Sequence, residues 1–190
     1  MNKPDKRDEI IRAAMELIAE YGFHGAPMAL VAERAGVAAG TIYRYFESKD
    51  ELIRETHRHV ETLILATLTE DYPAGDSVRN RFLHIGRKLV EYFINSPMEF
   101  RFMEQFFNSP YGADHRREKL FDRKDQGIVF ALFADALEQR IIKTLPLPVL
   151  CALTFGPLVD VCRDHILEFI VLDDALIEQT VAACWDSLKL

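Results

Sequence analysis

Residues 31–46, with the sequence VAERAGVAAGTIYRYF, restrict the fold of this chain more than any other segment. Apolar residues recur there at helical spacing in two short stretches, so each stretch predicts a helix with one apolar face. Gly36 lies between the two, where a helix C-terminus favours a residue that adopts the left-handed conformation without a steric clash. The pattern predicts a helix-turn-helix, whose facing apolar residues are Val31, Ala32, Ala35, Ile42 and Phe46.

The second of these helices carries side chains that suit contact with DNA. Hydroxyl and guanidinium groups bind phosphates, and the N-terminal turn of a helix placed in the major groove contacts base edges. Gly40 has no side chain in that turn, so the backbone there can approach a phosphate or a base edge. The candidate DNA-binding residues are Ala38, Ala39, Gly40, Thr41, Tyr43, Arg44, Tyr45 and Lys49.

The same residues have alternative structural roles. The segment could be an ordinary helical hairpin, and the Thr41 hydroxyl could cap its own helix, which is compatible with a phosphate contact. Either Tyr43 or Tyr45 could be a core aromatic with only its hydroxyl at the surface. The sequence leaves these alternatives open.

Residues 35–52, AGVAAGTIYRYFESKDEL, resemble the signature of the TetR family of bacterial transcriptional regulators. The resemblance covers about the first quarter of the chain. It implies an all-α fold, with an N-terminal three-helix helix-turn-helix DNA-binding domain and a larger C-terminal helical ligand-binding and dimerisation domain. The residues that carry it are the Ala35-Gly36-Val37 turn, Gly40, Thr41, Tyr43, Phe46, Lys49, Leu52 and the end of a first helix at Tyr21-Gly22-Phe23.

The chain departs from the family pattern at three positions. The family usually has a serine and often a lysine where Ala38 and Ala39 stand, and a threonine is common where Pro27 stands. Three phosphate donors are therefore missing, which predicts modest operator affinity. The two alanines could instead contact a thymine methyl group, an apolar contact that carries sequence information.

Composition fits a globular protein without a targeting segment. The 190 residues are 49% apolar, which suffices for one large or two small domains. The stretch MNKPDKRDE contains no apolar signal-peptide segment, and Gly156-Pro157 interrupts the longest apolar run. The three cysteines lack CxxC spacing and predict reduced core residues. We therefore expect a cytoplasmic protein with no membrane segment.

The net charge of −7 is unevenly distributed along the chain. Residues 1–50 hold 7 basic and 8 acidic side chains, whereas the remainder holds 16 and 22. A nearly neutral N-terminal region binds DNA if its few cations face the groove. We expect its nonspecific binding to be weak and strongly dependent on salt.

Helical patterns and turn signals predict nine helices, of which the first three form the DNA-binding domain. Pro27 opens the second helix, and Ser48 with Glu51 forms a capping box at the start of the fourth. The predicted domains are residues 1–48, for DNA binding, and residues 49–190, for ligand binding and dimerisation. Outside the helix-turn-helix, the predicted helices are Lys6–Tyr21, Lys49–Thr69, Ser77–Asn95, Pro97–Asn108, Arg116–Arg140, Pro148–Val171 and Asp173–Leu188.

The segment from Phe93 to Phe133 is the predicted site of a small-molecule ligand. Aromatic residues lie on nearly all sides of its first helix with polar residues between them, which is typical of small-molecule pockets. Plain core packing explains the same pattern, and His165 could be a hydrogen-bonded core or interface residue. The candidate pocket residues are Phe100, Met103, Glu104, Phe107, Phe121, Phe133 and His165.

The last two predicted helices carry more apolar residues than one neighbouring helix could cover. An antiparallel pair that meets its symmetry mate would form a four-helix dimer bundle. Pro157 should kink the first of these helices, because proline removes a backbone hydrogen bond. The candidate dimer-interface residues are Leu158, Val161, His165, Phe169, Val181, Trp185 and Leu188.

No metal, cofactor or catalytic site is expected. The six histidines are scattered along the chain, and His57 and His59 point to different sides of one helix. The sequence contains no glycine-rich phosphate loop, GxSxG elbow or pair of catalytic carboxylates. We therefore expect a protein that is not an enzyme.

Together with the resemblance, these features predict a homodimeric transcription regulator that binds a palindromic double-stranded DNA operator. The resemblance implies a repressor, which a small, largely apolar or aromatic effector molecule would release from the operator. The alternative is an α-helical ligand-binding or scaffold protein whose helix-turn-helix no longer binds DNA. An enzyme is the weakest interpretation.

Overall fold

The computed structural model describes residues 5–121 and 127–190, apart from the side chains of residues 120 and 121. In these residues the only β pairing is an isolated bridge between Ile142 and Lys189, so the all-α prediction is confirmed. The described residues form ten helices: α1 (Lys6–Tyr21), α2 (Met28–Arg34), α3 (Ala39–Tyr45), α4 (Lys49–Thr69), α5 (Val78–Asn95), α6 (Pro97–Phe107), α7 (Pro110–Phe121), α8 (Ile128–Glu138), α9 (Leu147–Ile166) and α10 (Asp174–Leu188).

Helix α1 begins and ends at the predicted residues. The Asp5 side chain accepts a hydrogen bond from the Arg7 backbone N–H, at 3.1 Å, and so caps the N-terminus. At the other end, Gly22 has a φ of 70° and its N–H donates to the Ile18 carbonyl oxygen, at 2.8 Å. Glycine adopts this conformation without strain, so the helix ends there.

Helices α2 and α3 form the predicted helix-turn-helix. Gly36 has a φ of 65°, and a Cβ at that position would meet nothing within 4 Å. The backbone conformation, rather than lack of space, therefore requires glycine at the turn. The Val37 N–H donates to the Ala32 carbonyl oxygen at 2.9 Å and closes the end of α2. The residues buried on the facing sides are Val31, Ala32, Ile42 and Phe46.

Helix α4 starts with the predicted capping box. The Glu51 N–H donates to the Ser48 hydroxyl oxygen at 3.1 Å. The Glu51 carboxylate accepts a hydrogen bond from the Glu47 N–H at 2.6 Å, one residue before the position that the motif usually uses. Both interactions fix where α4 begins, directly after the helix-turn-helix.

Packing divides the described residues into two compact units. The first unit contains the described part of residues 1–63 together with 96–121, and in it α1 packs against α6. The second contains residues 64–95 and the described part of 122–190. In the second unit α5 packs against α8, α9 and α10. The division into domains at residue 48 stays a prediction.

A glycine allows α5 and α10 to approach closely in the second unit. A Cβ on Gly86 would lie 2.5 Å from Cγ1 of Val181, closer than any real contact of that kind. Beside them, the ring centroids of Phe82 and Trp185 are 5.3 Å apart, and both side chains are buried. The core of this unit therefore lies along the inner faces of α5, α9 and α10.

The predicted helix at residues 116–140 is wrong, and the described residues contain ten helices rather than nine. Helix α7 already begins at Pro110, since proline is tolerated in the first turn of a helix, where its missing N–H has no partner to lose. Helix α8 is a separate element that begins after Gly127. Residues 122–126 lie outside the described residues.

Helix α9 ends at Ile166, five residues before the predicted end. Glu168 follows with a φ of 63°, and the imidazole Nδ1 of His165 accepts a hydrogen bond from the Leu172 N–H at 3.1 Å. These local interactions turn the chain toward α10. The helix runs through Pro157, and the kink there stays a prediction.

Candidate functional site

The outward side of α3 carries the polar part of the predicted DNA-binding set. Ile42 and Phe46 are buried beneath the helix, whereas 57% of Tyr43 is exposed and Arg44 and Tyr45 are exposed as well. Neither tyrosine is therefore a core aromatic. Two phenol hydroxyls and a guanidinium project from one helix, which is a donor set suited to phosphates and base edges.

The residues at the start of α3 leave its surface open. Ala38, Ala39 and Gly40 are exposed, and Thr41 is half-buried. A Cβ on Gly40 would meet nothing within 4 Å, so packing does not require glycine at this position. The structure therefore leaves room for close approach by a partner, and the DNA contact of these residues stays a prediction.

Lys49 differs from the other predicted DNA-binding residues. Its ammonium donates a hydrogen bond to the backbone carbonyl oxygen of Phe23, in the connection that follows α1. Partial burial lowers the pKa of Lys49 below its ordinary value, and the nearby Asp50 opposes that shift. The side chain thus joins the start of α4 to the end of α1, a structural role that its sequence position does not reveal.

The first unit contains a cavity of about 400 Å³ beside α4 and α7. Its wall contains aromatic rings together with positively and negatively charged side chains. The lining residues are Arg54, His57, Arg58, Glu61, Phe106, Tyr111, Asp114, His115, Arg117 and Glu118.

His57 is the most deeply buried polar residue of this wall, with 3% of its surface exposed. Its ring stacks on Phe106, with a centroid distance of 3.8 Å, and lies 4.5 Å from the ring of His115. Burial is the main cause that lowers the pKa of His57 to about 3, and burial also lowers the pKa of His115. Both imidazoles are therefore neutral near pH 7.

Tyr111 lines the same cavity and contacts one residue near the start of α4 and one that follows α1. Its hydroxyl donates a hydrogen bond to the Asp50 carboxylate, and its ring lies 5.4 Å from that of Phe23. Burial and the Asp50 carboxylate together raise the pKa of Tyr111 to about 12. The phenol is thus protonated at any physiological pH and acts as a hydrogen-bond donor.

The predicted ligand-pocket residues belong to both compact units. In the first unit Phe100 and Met103 are buried core residues, Glu104 is half-buried, and Phe107 is exposed. In the second unit Phe133 is buried beside Phe155, with ring centroids 6.2 Å apart, and His165 holds the backbone after α9. The side chain of Phe121 lies outside the described residues. This pocket assignment stays a prediction.

Four of the seven candidate dimer-interface residues were assigned to the wrong side of their helices. Leu158, Val181, Trp185 and Leu188 are buried within the protomer, where α9 and α10 pack on α5, so they offer almost no surface to a partner. Phe169 is 74% exposed, and Val161 and His165 are half-buried. These three residues stay candidates for an interface.

The histidines that are scattered in sequence are not all scattered in space. His57 and Glu61 of α4 and His115 of α7 place one potential metal-ligand atom each within 4.8 Å of one another. Spacing along the chain does not reveal this cluster, because one member comes from another helix. The only local signal is the separation of four residues between His57 and Glu61, which places both on one side of a helix.

No helix within residues 5–121 and 127–190 combines the length and the apolarity needed to cross a bilayer.

The described helices and the exposed donors of α3 place this chain in the class of helix-turn-helix proteins. Two family models match it: "Bacterial regulatory proteins, tetR family" over residues 10–56, and "Tetracyclin repressor-like, C-terminal domain" over residues 78–189. The second match alone spans more than half of the chain. The protein therefore belongs to the TetR family of transcriptional regulators, and the resemblance seen in its sequence is confirmed.

Curated relatives match parts of the chain. An HTH-type transcriptional regulator of Haemophilus influenzae is 29% identical over 112 residues, which are 59% of this chain and 60% of that protein. A fatty acid metabolism regulator protein of Bacillus subtilis is 38% identical over 69 residues, 36% of either chain. The chain thus spans less than two thirds of each of these relatives. Both are regulators rather than enzymes, as the sequence predicts for this protein.

Solved structures match almost the whole chain. A TetR family protein of Vibrio parahaemolyticus has 31% sequence identity and a TM-score of 0.74, over 98% of this chain and 99% of that one. A TetR-family regulator of Haemophilus influenzae has 21% identity and a TM-score of 0.84, over 98% and 100% of the two chains. The second likeness shows the shared fold.

Proposed function

We propose that this protein is a ligand-responsive repressor that binds a palindromic double-stranded DNA operator as a homodimer. The observation that carries the proposal is the exposed side of α3, where Tyr43, Arg44 and Tyr45 project from a helix anchored by the buried Ile42. A short helix that is anchored by a buried side chain and carries exposed hydrogen-bond donors is suited to contacts in the major groove.

The side chains of α3 divide into two roles under this proposal. Arg44 has the fork of donors that pairs with guanine, so it would contribute to base preference. Tyr43 and Thr41 carry hydroxyls that suit phosphates, and such contacts position the protein without selecting a sequence. The exposed Ala38 and Ala39 contribute no charge, so the proposal includes modest affinity for random DNA.

A homodimer would present two copies of α3 to two operator half-sites. Half-sites in successive major grooves on one face of the duplex are about 34 to 36 Å apart, so the dimer must hold the two helices at that spacing. Exposed apolar residues after α9, chiefly Phe169 and Val171, offer surface that a second protomer could cover. We also infer a cytoplasmic location, because an operator is reachable only there.

The proposed effector is a small molecule with an aromatic or apolar body. The cavity of the first unit, at about 400 Å³, has the size of a small-molecule site. Phe106 and Tyr111 supply an aromatic wall, while the charged residues around them favour an effector that also bears a polar group. An effector that binds the operator-free protein more tightly than the operator-bound protein lowers the affinity for DNA. Bound DNA lowers the affinity for the effector by the same factor.

A mobility shift with DNA from upstream of the gene tests the DNA-binding proposal. The wild type should bind this DNA in the presence of excess random DNA. Arg44→Ala should lower the free energy of operator binding by about 1–3 kcal/mol and relax the base preference. Tyr43→Phe should weaken binding to all DNA sequences by a similar factor. Arg101→Ala is the matched control, because it removes another exposed arginine, from α6 of the same unit. It should leave binding unchanged.

A ligand-binding or scaffold protein with an inactive helix-turn-helix is the alternative, and the same experiment separates the two. In that case the wild type shows no shift that survives competitor DNA. An equal loss of binding in Arg44→Ala and Arg101→Ala would also contradict the proposal, since it would indicate general charge attraction instead of contacts made by α3.

A further inference from the structure

Three side chains with metal-binding atoms meet in the wall of the cavity in the first unit. His57 and Glu61 are separated by four residues on α4, which places them on the same side of that helix. His115 reaches them from α7, and one ligand atom of each residue lies within 4.8 Å of the others. Nε2 of His115 and Oε1 of Glu61 lie 3.9 Å apart.

The burial of His57 is a second, independent observation that points to a ligand. The side chain is 97% buried, and its Nε2 has no hydrogen-bond partner among the described residues. A buried polar atom without a partner destabilises the folded state by about 1–3 kcal/mol, so its retention needs an explanation. A cation bound beside it would supply one, because an imidazole that is not protonated has a lone pair to donate.

From this juxtaposition we propose that His57, Glu61 and His115 bind a divalent transition-metal ion of the Zn²⁺ class. Two imidazoles and one carboxylate are a ligand set that Zn²⁺, Co²⁺ and Ni²⁺ accept, whereas Ca²⁺ and Mg²⁺ prefer oxygen ligands alone. Three protein ligands leave at least one coordination position, which would face the cavity that all three residues line.

The distances permit the three side chains to share one ion with small rotations. Zinc lies about 2.0–2.2 Å from imidazole nitrogen and carboxylate oxygen, so two ligand atoms of one tetrahedral ion are about 3.3–3.6 Å apart. The pair of His115 and Glu61, at 3.9 Å, is within about half an ångström of this separation. No two of the three ligand atoms are more than 4.8 Å apart, so side-chain rotations would have to bring the most distant pair closer by about 1 Å.

Cations near the cluster set the affinity that the site can reach. The Nζ of Lys119 lies 3.3 Å from Oε1 of Glu61, so this ammonium neutralises the carboxylate and would have to move aside for a metal ion. Arg58 and Arg117 line the same cavity but are already paired with Glu55 and Asp114. Removal of the Lys119 charge should therefore tighten metal binding, because it removes both a competitor and a repulsion.

Titration of the purified full-length chain with Co²⁺ after dialysis against a chelator tests the site directly. Visible absorption reports the coordination of Co²⁺, and calorimetry with Zn²⁺ gives the affinity independently of any DNA. We expect one ion per chain. His115→Gln and Glu61→Gln should each weaken Co²⁺ binding at least about tenfold. Even residues that only hydrogen-bond to metal ligands typically change metal affinity by about 10–100-fold when they are replaced.

His59→Gln is the matched control, because it makes the same change at an exposed histidine of the same helix. It should bind Co²⁺ like the wild type. Lys119→Met, which keeps the length of the side chain, should bind several-fold more tightly. Thermal melting of each metal-free variant verifies folding, and if His57→Gln is unstable, the more exposed His115 and Glu61 positions still decide the test.

The proposal is overturned if the wild type gives no cobalt spectrum at millimolar metal, or if His59→Gln weakens binding as much as His115→Gln. It is also overturned if Lys119→Met binds Co²⁺ more weakly, since a ligand role for Lys119 would then replace the cluster described here. The metal-binding proposal does not depend on the proposed DNA-binding function. If the protein binds operator DNA but no metal, only the metal-binding proposal fails. If it binds metal but no operator DNA, only the DNA-binding proposal fails.

Discussion

Helices α2 and α3 bury apolar residues on one side only, whereas α9 and α10 carry apolar residues on both their buried and their exposed sides. In α3, Ile42 is buried and its neighbours Tyr43 and Arg44 are exposed. In α9, Leu150 and Leu158 are buried while Leu153, between them, is exposed. A helix with a clear polar side has one possible orientation in a fold, but a helix without one has several.

The difference separates two uses of apolar surface in this protein. Around the helix-turn-helix, burial fixes a small scaffold, and the exposed side is polar and suited to DNA. In the second unit, burial fixes the core, and additional apolar side chains such as Phe169 and Val171 stay at the surface of the protomer. Exposed apolar patches of this kind are typical of protein–protein contacts, which fits the proposed homodimer.

The largest expected effect concerns a residue that the sequence assigns to the surface. Trp185→Ala should lower the free energy of unfolding by about 3–5 kcal/mol, because Trp185 is only 3% exposed and packs on Phe82. Denaturant unfolding at a fixed protein concentration measures it. Phe169→Asp should change protomer stability by less than about 0.5 kcal/mol and weaken self-association instead. A Trp185→Ala variant that is as stable as the wild type but monomeric would indicate that Trp185 belongs to the dimer interface after all.

The close approach of α5 and α10 predicts the next largest effect. Gly86→Ala should destabilise the protein by about 1–3 kcal/mol, because the new methyl group would lie 2.5 Å from Cγ1 of Val181. Adding Val181→Ala should recover part of the loss, and Gly75→Ala, where a Cβ meets nothing within 4 Å, serves as control. Thermal unfolding of the wild type and the three variants compares them. Equal stability of Gly86→Ala and Gly75→Ala would contradict the packing.

The helix-turn-helix side of the comparison predicts a smaller effect for Lys49. Lys49→Met should lower the free energy of unfolding by about 1.5 kcal/mol, because it removes a charged hydrogen bond to the Phe23 carbonyl. The salt dependence of operator binding should stay the same, since this ammonium already has a partner in the protein. Arg44→Met should show the opposite pattern, with unchanged stability and weaker DNA binding. A weaker salt dependence of operator binding in Lys49→Met would instead indicate that Lys49 contacts a DNA phosphate.

The smallest effect is expected from the alanines before α3. The double substitution Ala38→Ser and Ala39→Lys should tighten binding to random DNA and steepen its salt dependence by about one phosphate contact. Both positions are exposed, so the fold should tolerate the change. Titrations of operator and random DNA at several salt concentrations measure both quantities. Weaker operator binding at low salt would indicate that the alanines contact a thymine methyl group instead.

Much of the fold could be predicted from local signals. The end of α1 follows from Gly22, the turn from Gly36, and the start of α4 from Ser48 and Glu51, because each acts on backbone groups within a few residues. The start of α7 was missed because Pro110 is equally compatible with a turn and with the first position of a helix. Local chemistry alone does not decide between the two.

The sequence by itself determined the helical class and the helix-turn-helix, because helix periodicity and backbone conformation are local properties. Only the tertiary structure decided that Trp185 faces inward, that Lys49 pairs with a backbone carbonyl, and that His115 joins His57 and Glu61. Each of these depends on a partner that is distant in sequence. Which distant residues meet is set by the packing of whole helices, and no pattern within one helix specifies it.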